Sequence, residues 1–151
     1  MEMKGSQLIP APAAEVWAAL LDSDVLRDCV PGCQEMAGDP EQGFEATVVQ
    51  KVGPVKATFR GAVTLEDMVP PESLTLRGEG KGGAAGFAKG GARITLTEEE
   101  EGTRLDYDVE AQIGGKLAQL GSRIINSFAK KMADEFFARF RARFDTTNPG
   151  A

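Results

Sequence analysis

The chain of 151 residues contains no histidine, one tyrosine, one tryptophan and two cysteines. Without histidine it lacks the commonest general base, the commonest metal ligand and the usual activator of serine and cysteine nucleophiles. No stretch approaches the roughly 18 consecutive apolar residues that predict a membrane span. The N-terminal residues Met1–Lys4 are not followed by the apolar core of a secretory signal peptide. We therefore expect a cytoplasmic protein with no metal site and no histidine-based catalytic centre.

The two cysteines, Cys29 and Cys33, are separated by Val30, Pro31 and Gly32. This spacing is not the C-x-x-C of redox proteins, and the chain lacks the further ligands that a zinc site requires. Cysteine without such partners behaves as a small apolar residue. The pattern therefore predicts two packing residues that flank a tight turn.

The charge balance is acidic, with 17 Lys and Arg against 23 Asp and Glu, a net charge of −6 and a pI near 4.8. Such a protein is not expected to use nucleic acid as its main partner. Its 42% hydrophobic and 26% charged residues are ordinary for a globular domain. We expect one domain over residues 1–144, followed by a polar, disordered tail over residues 145–151.

Five stretches between residues 43 and 113 alternate apolar with polar side chains. This period of two predicts antiparallel strands with one buried face and one solvated face. The inward residues are Phe44, Ala46, Val48, Gln50 and Val52; Val55, Ala57, Phe59, Gly61, Val63 and Leu65; Leu74, Leu76, Gly78 and Gly80; Ala92, Ile94 and Leu96; and Leu105, Tyr107, Val109, Ala111 and Ile113. None of them is charged and many are Ala or Gly, so the sheet alone would not fill its interior. A helix, with a ligand beside it, is expected in the remaining space.

Other elements flank these strands. Residues 2–9 are typical of a first strand, residues 11–21 of a short helix with Pro12 near its start, and Asp22 caps a second short helix. A further short strand is predicted from Gln34. Residues 115–144 carry an apolar stripe at three- and four-residue spacing, which predicts a helix of about 30 residues and about 45 Å packed on the concave face of the sheet.

Residues 78–83 contain a literal G-x-G-x-x-G. A dinucleotide site needs these glycines to turn from a strand into a helix, whereas the residues that follow, through Ala92–Leu96, predict a strand. We therefore interpret the segment as a flexible, bulged strand pair in a curved sheet. Such a flexible segment could also open as a gate over the interior of the sheet, and Phe87 is the one large apolar residue that it carries.

The predicted inward face offers little acid–base chemistry. Asp106 and Asp108 alternate with inward residues, so they face solvent, where general acid–base catalysis is not expected. Gln50 and Tyr107 are the two polar groups that interrupt the apolar face. A buried polar group needs a partner. For these two it is either a backbone carbonyl, a water or an exposed strand end, or else the polar head of a bound apolar molecule.

The last turns of the long helix carry an excess of positive charge, with Lys130, Lys131, Arg139, Arg141 and Arg143 against Asp134 and Glu135. Cations near a helix C-terminus complement the macrodipole. Phenylalanines interleave with them, which also suits an interfacial membrane contact or an acidic protein partner. Both interpretations stay open.

The order of elements is that of the helix-grip fold, and nearly the whole chain resembles the SRPBCC (START-like) superfamily. Within it, the chain is similar to the CoxG family, which is named for a subunit of carbon monoxide dehydrogenase. The supporting motifs are Pro12–Trp17, the turn Cys29–Gln34, Gly53–Lys56, the glycines at 78, 80 and 82, and Gly114–Gly121 at the start of the long helix. This implies an α+β fold in which a curved antiparallel sheet wraps around a long C-terminal helix, with two short helices after the first strand.

The resemblance implies an accessory protein encoded with molybdenum hydroxylases rather than the CO-oxidising enzyme. Members of this family are associated with recruiting such enzymes to the membrane and with binding a hydrophobic quinone, such as menaquinone or ubiquinone, in the grip cavity. Many carry a long C-terminal extension that attaches to the membrane. This chain stops at Ala151 without one, which fits either a natural short form or a trimmed chain. Direct anchoring is therefore not expected of the chain as given, and the expected location is the cytoplasm, with peripheral contact at the inner face of the cell membrane as the alternative.

The sequence thus favours a non-enzymatic binder of a hydrophobic ligand that serves a molybdenum-dependent dehydrogenase. Two alternatives are an assembly module with a filled core and, less favoured, a small enzyme of the cyclase or hydrolase type, which would need an inward acid, base or nucleophile. Gly121 is included among the candidate ligand-binding residues because glycine lets a ligand approach the backbone closely. These residues are Val48, Gln50, Phe59, Val63, Leu76, Phe87, Ile94, Tyr107, Val109, Leu117, Leu120, Gly121, Ile124 and Phe128.

Overall fold

A computed structural model describes residues 1–145, which form one sheet, three α-helices and two 3₁₀ turns. The strands are β1 Glu2–Ile9, β2 Cys33–Asp39, β3 Gly43–Val52, β4 Val55–Val69, β5 Ser73–Lys81, β6 Phe87–Glu99 and β7 Gly102–Gly114. The helices are α1 Ala13–Leu20, α2 Ser23–Cys29 and α3 Ser122–Ala142, and the 3₁₀ turns are Gly83–Ala85 and Gly115–Leu120. The predicted strands and the two short helices are confirmed.

The seven strands form an antiparallel sheet in the order β1-β7-β6-β5-β4-β3-β2. Consecutive strands from β2 to β7 are neighbours, and β1 returns to pair with β7, where Gly5 lies opposite Tyr107. Helix α3 contacts β1 near one edge of the sheet and β3 near the other. A sheet can touch one helix with two such distant strands only if it curves around that helix. The predicted helix-grip architecture is confirmed.

Local chemistry explains how α1 and α2 begin and end. Pro12 precedes the first turn of α1, and the Asp22 carboxylate accepts hydrogen bonds from the backbone N–H of Asp24 at 2.8 Å and of Val25 at 3.3 Å. After α2 the chain turns at Gly32, where φ is +77° and a Cβ would overlap the Val49 carbonyl oxygen. The Gly32 carbonyl accepts from the Val49 N–H at 3.0 Å, which fixes this turn against β3.

The packed core lies at the end of the sheet that α1 and α2 cover. Ile9, Val16, Leu105 and Phe140 are each fully buried there. Thr103 is also fully buried, and its hydroxyl donates to the Ala11 carbonyl at 2.7 Å. Because apolar burial stabilises by about 25 cal/mol per Å², burial of these side chains stabilises this end of the sheet.

Three expectations need comment. The continuous helix predicted over residues 115–144 is wrong, because a 3₁₀ turn ends at Leu120 and α3 starts at Ser122, after Gly121 with φ +88°. The predicted bulge in the glycine-rich strand pair is also wrong: the β5–β6 register runs uninterrupted from Ser73 opposite Thr95 to Lys81 opposite Phe87. Beyond Asp145, the predicted tail lies outside the described residues.

Candidate functional site: an apolar cavity on the concave face

A cavity of about 440 Å³ lies on the concave face of the sheet. Five of the candidate residues line it together: Val48, Phe59, Val63, Leu76 and Val109. Each of the five is only half-buried although it points inward, so the cavity is open to solvent. The structure therefore brings together apolar side chains from four strands around a space that the described residues do not fill.

The boundary between the packed core and the cavity falls between two neighbouring rows of cross-strand residues. In one row, Leu74 lies opposite Ile94 and Ile94 opposite Tyr107, and all three belong to the filled end of the sheet. Two residues further along each of these strands, the next inward row consists of Leu76, Ala92 and Val109, and these three line the cavity. The aromatic C-terminal half of α3 fills the first region, where the Tyr107 and Phe137 rings stack with centroids 5.2 Å apart.

Small residues form the floor of the cavity. Across the central strands, Val63 lies opposite Gly78 and Gly78 opposite Gly90, while Gly61 lies opposite Gly80. Gly90 is required by packing, since a Cβ there would overlap the Glu110 carbonyl. Gly80 is not: its φ is not positive, and a Cβ would have no heavy atom of the described residues within 4 Å.

Gly61 resembles Gly80, because the nearest atom to its Cβ position is the Glu79 carbonyl oxygen at 3.6 Å, an ordinary contact. Neither backbone conformation nor internal packing therefore explains why these two facing residues lack side chains. Glycine here leaves the peptide planes of β4 and β5 accessible from the cavity. A flat molecule could lie against them.

The charged residues near the cavity do not point into it. Glu79, Lys89 and Glu110 border it, but they occupy strand positions that alternate with the inward residues Gly78, Ala88 and Val109. A larger depression of about 690 Å³ on the outer face is bordered by these same residues, together with Glu2 and Arg77. Because the outer depression is ringed by charge, an apolar ligand is better matched to the concave cavity.

The nine other candidate residues lie elsewhere. Ile94 and Tyr107 pack against the core. Phe87 is 41% exposed and lies against Gly114. Leu120 and Ile124 lie against the β3–β4 turn, where their methyl groups are 3.5 to 3.9 Å from the Cβ position of Gly53. Leu117 is buried, Gly121 is exposed and Phe128 is half-buried, and none of the three lines the cavity as the described residues define it.

The ninth candidate, Gln50, forms a hydrogen bond within the protein instead of lining the cavity. Its side-chain N–H donates to the Pro31 carbonyl, so the amide ties β3 to the turn that follows α2. Tyr107 lies across Gly5, where a Cβ would overlap the phenol ring, and burial raises the pKa of its hydroxyl, with a further increase from Asp134. Of the alternatives for the two inward polar groups, a backbone carbonyl is thus the partner of Gln50.

The remaining reactive groups are structural. Cys29 is buried in the core and Cys33 is half-buried, both are free, and burial raises the pKa of both thiols, which makes them poor nucleophiles at neutral pH. On the outer face, Asp106 pairs with Arg104 at 3.1 Å and Asp108 with Lys4 at 3.7 Å. Within residues 1–145, no cluster of three Cys, Asp or Glu could hold a metal ion.

Sequence reasoning missed several lining residues. Seven of them (Phe44, Ala46, Gly61, Gly78, Gly80, Ala92 and Ala111) belong to the face that alternation predicts to be inward but are not among the candidate binding residues, whereas Ala88, Gly90 and Gly91 lie where no inward face is predicted. Val30 and Met36 come from outside the five alternating stretches and gave no signal. The missed lining residues are Val30, Met36, Phe44, Ala46, Gly61, Gly78, Gly80, Ala88, Gly90, Gly91, Ala92 and Ala111, together with the bordering Glu79, Lys89 and Glu110.

Comparison with known proteins shows the family and the fold of this chain. The family model for CoxG, a subunit of carbon monoxide dehydrogenase, matches residues 5–144. A conserved protein from Geobacillus kaustophilus has a similar crystal structure, with 28% identity, a TM-score of 0.89 and 97% of each chain covered. No curated protein matches the sequence.

More distant solved structures share the fold. A protein from Thermus thermophilus is 14% identical, with a TM-score of 0.71 over 98% of this chain and 99% of that one. A protein from Chromobacterium violaceum is 16% identical, with a TM-score of 0.68 over 93% of this chain and 95% of the other. In the part of the chain that the structure describes, no helix has the length and apolar character needed to cross a bilayer.

Proposed function

This chain belongs to the CoxG family of carbon monoxide dehydrogenase subunits, and from that membership and the cavity we infer that it is an accessory protein that binds a hydrophobic ligand. Its enzyme partner would be a molybdenum-containing dehydrogenase of the CO dehydrogenase type. In this proposal the chain performs no chemistry itself. The ligand would pass between the membrane and that enzyme.

We propose an isoprenoid quinone, such as menaquinone or ubiquinone, as the ligand. The observation that carries this proposal is the apolar wall around the unobstructed glycines Gly61 and Gly80. A planar quinone ring fits over exposed peptide planes, and an isoprenoid chain fits against Val48, Phe59 and Val63. The volume of about 440 Å³ falls within the range of about 300–1,000 Å³ typical of small-molecule sites.

The character of the cavity wall favours binding over catalysis. General acid–base or nucleophilic chemistry requires an ionisable or nucleophilic side chain that points at the substrate. Among the described residues that line the cavity, the inward side chains are aliphatic, aromatic, thioether or absent. A cyclase or hydrolase role therefore has no supporting group.

Extraction of the purified protein tests this proposal. The protein would be expressed in a quinone-producing host, purified, and extracted with organic solvent for mass spectrometry. We expect an isoprenoid quinone in stoichiometric amount. An extract without quinone, combined with no binding when quinone is added back, would contradict the proposal and favour an assembly module that acts through its surface.

A further inference from the structure

Charged residues are distributed unevenly between the two ends of the sheet. Residues 46–65, 80–97 and 111–133 contain ten of the 17 Lys and Arg and none of the 23 Asp and Glu. These segments run along the whole length of their strands, so the ten cations do not all lie at one end. Five of them, at positions 51, 56, 81, 116 and 123, lie where the β3–β4 turn, the β5–β6 connection and the start of α3 meet. At the opposite end, the β2–β3, β4–β5 and β6–β7 turns are acidic, and Glu98–Glu101 form the longest acidic run.

Three contacts join the elements of the basic end into a rim. The Phe59 ring of β4 lies against Gly82, before the first 3₁₀ turn. Gly86, after that turn, lies against Gly115 of the second 3₁₀ turn. The start of α3 then reaches the β3–β4 turn at Gly53. Because Phe59 also lines the cavity, this rim borders the apolar interior.

Five exposed cations surround this region, and we call them the basic rim: Lys51, Lys56, Lys81, Lys116 and Arg123. Lys51 and Lys56 face each other across the β3–β4 hairpin. Lys81 pairs with Glu79 at 3.2 Å. The other four have no carboxylate within 4 Å among the residues that the structure describes.

Large apolar side chains project among these cations. Phe87 is 41% exposed just after the β5–β6 connection, and Ile124 is 39% exposed in the first turn of α3. Exposed aromatic and aliphatic residues beside Lys and Arg are typical of surfaces that lie at a membrane interface. A nucleic-acid surface would not need these exposed apolar side chains.

We propose that the basic rim docks on an anionic phospholipid surface. The cations bind lipid phosphates, and Phe87 and Ile124 enter the headgroup region. The acidic turns at the far end are repelled by the same surface. The charge separation therefore also orients the molecule, with the apolar cavity that the rim borders facing the bilayer. The interaction needs no bound quinone and does not rest on the proposed ligand.

Cosedimentation with quinone-free vesicles tests this proposal. Wild-type protein is expected to bind phosphatidylglycerol vesicles, to bind phosphatidylcholine vesicles weakly, and to be released by salt. A cation at an anionic membrane contributes about 1 kcal/mol, or about fivefold in partitioning. The double variant Lys51→Gln/Lys116→Gln should therefore bind about 25-fold more weakly. Phe87→Ser should weaken binding by a similar factor at low salt and at intermediate salt concentrations, where part of the wild-type protein is still bound.

The matched control is Arg139→Gln/Arg141→Gln, which makes the same change in net charge on exposed residues near the C-terminal end of α3. It should bind phosphatidylglycerol vesicles nearly as tightly as wild type does. Equal losses in both double variants, or a loss only in the control, would overturn the assignment of the rim. Wild-type protein that binds neither kind of vesicle would overturn lipid docking itself and indicate an acidic protein as the partner of this surface.

Discussion

Gln50 shows at the scale of one residue that an inward polar group can serve the fold rather than the cavity. Its inward position leaves two partners open from the sequence, a backbone carbonyl or a ligand head, and in the structure its amide donates to the Pro31 carbonyl. Pro31 is buried, and the adjacent Gly32 has a backbone conformation and close contacts that exclude a side chain. The amide therefore stabilises the turn between α2 and β2.

Replacement of this amide should affect stability and not binding. In Gln50→Leu the Pro31 carbonyl loses its partner, so we expect the free energy of unfolding to fall by about 1–3 kcal/mol. Urea denaturation would measure this change. Retention of the proposed quinone should equal that of wild type. Loss of retention with unchanged stability would instead place the amide in contact with the ligand.

Tyr107 gives a second prediction, because it is the only tyrosine in the chain. Burial raises the pKa of its hydroxyl above the ordinary value, and the ordinary value is about 10. A group whose pKa is higher in the folded state stabilises the fold below its unfolded pKa, and this contribution is lost as the pH rises through the folded pKa. Stability should therefore fall above about pH 10, less steeply in Tyr107→Phe. An absorbance titration that shows tyrosinate forming at or below the ordinary pKa would contradict this account.

The candidate site could be predicted only in part from single residues. Alternation correctly placed Val48, Phe59, Val63, Leu76 and Val109 on one face, and the structure brings these five together. Alternation alone does not show where along each strand the aromatic end of α3 stops. For that reason alternation does not separate Ile94 and Tyr107, which pack against the core, from Ala92 and Val109, the next inward residues along the same strands.

At the scale of elements, the region before α3 differs most from the sequence-based expectation. The apolar stripe runs through residues 117–144 without a break, so periodicity predicts one helix. The interruption depends on Gly121, whose φ of +88° and ψ of 158° are accessible to glycine and hardly to other residues. A lone glycine does not reveal its backbone conformation in the sequence.

A pair of Gly→Ala substitutions isolates this effect. Gly121 and Gly80 both have no heavy atom within 4 Å of a Cβ position among the described residues, but only Gly121 has a positive φ. Gly121→Ala should lower the free energy of unfolding by about 1–3 kcal/mol from backbone strain alone. Gly80→Ala should leave stability unchanged or raise it by up to about 1 kcal/mol. Equal effects in urea denaturation would contradict the assigned conformation of Gly121.

At the scale of the whole molecule, the sheet has a filled end and a hollow region. The filled end holds the fully buried Ile9, Leu105 and Phe140. The inward residues of the central strands β4–β6 are half-buried, apart from Leu74 and Leu96 at the filled end. The fold class followed from the element order and from strand alternation, which together allow few architectures. The extent of the hollow region could not be predicted, because it depends on how far α3 penetrates between the curved strands.

Hydrogen exchange should report this division. Amides of Thr103 and Leu105 are expected to exchange only through global unfolding, and amides of residues 76–92 through local openings of lower free energy. Saturation with the proposed quinone should slow exchange in residues 76–92 most, since a ligand that binds the closed state stabilises it. Uniform slowing across β7 and the central strands would indicate a ligand bound elsewhere.

The most direct test of the account is the amount of quinone retained per protein in three proteins purified in parallel: wild type, Gly80→Leu and Ala62→Leu. Gly80→Leu places a side chain in the cavity without overlap at its Cβ, and Ala62→Leu adds an apolar side chain at an exposed position next to Gly61 on the other face of β4. We predict that wild type and Ala62→Leu retain stoichiometric quinone, and that Gly80→Leu folds normally but retains none. Equal retention by all three proteins would contradict the assignment of the cavity as the ligand site.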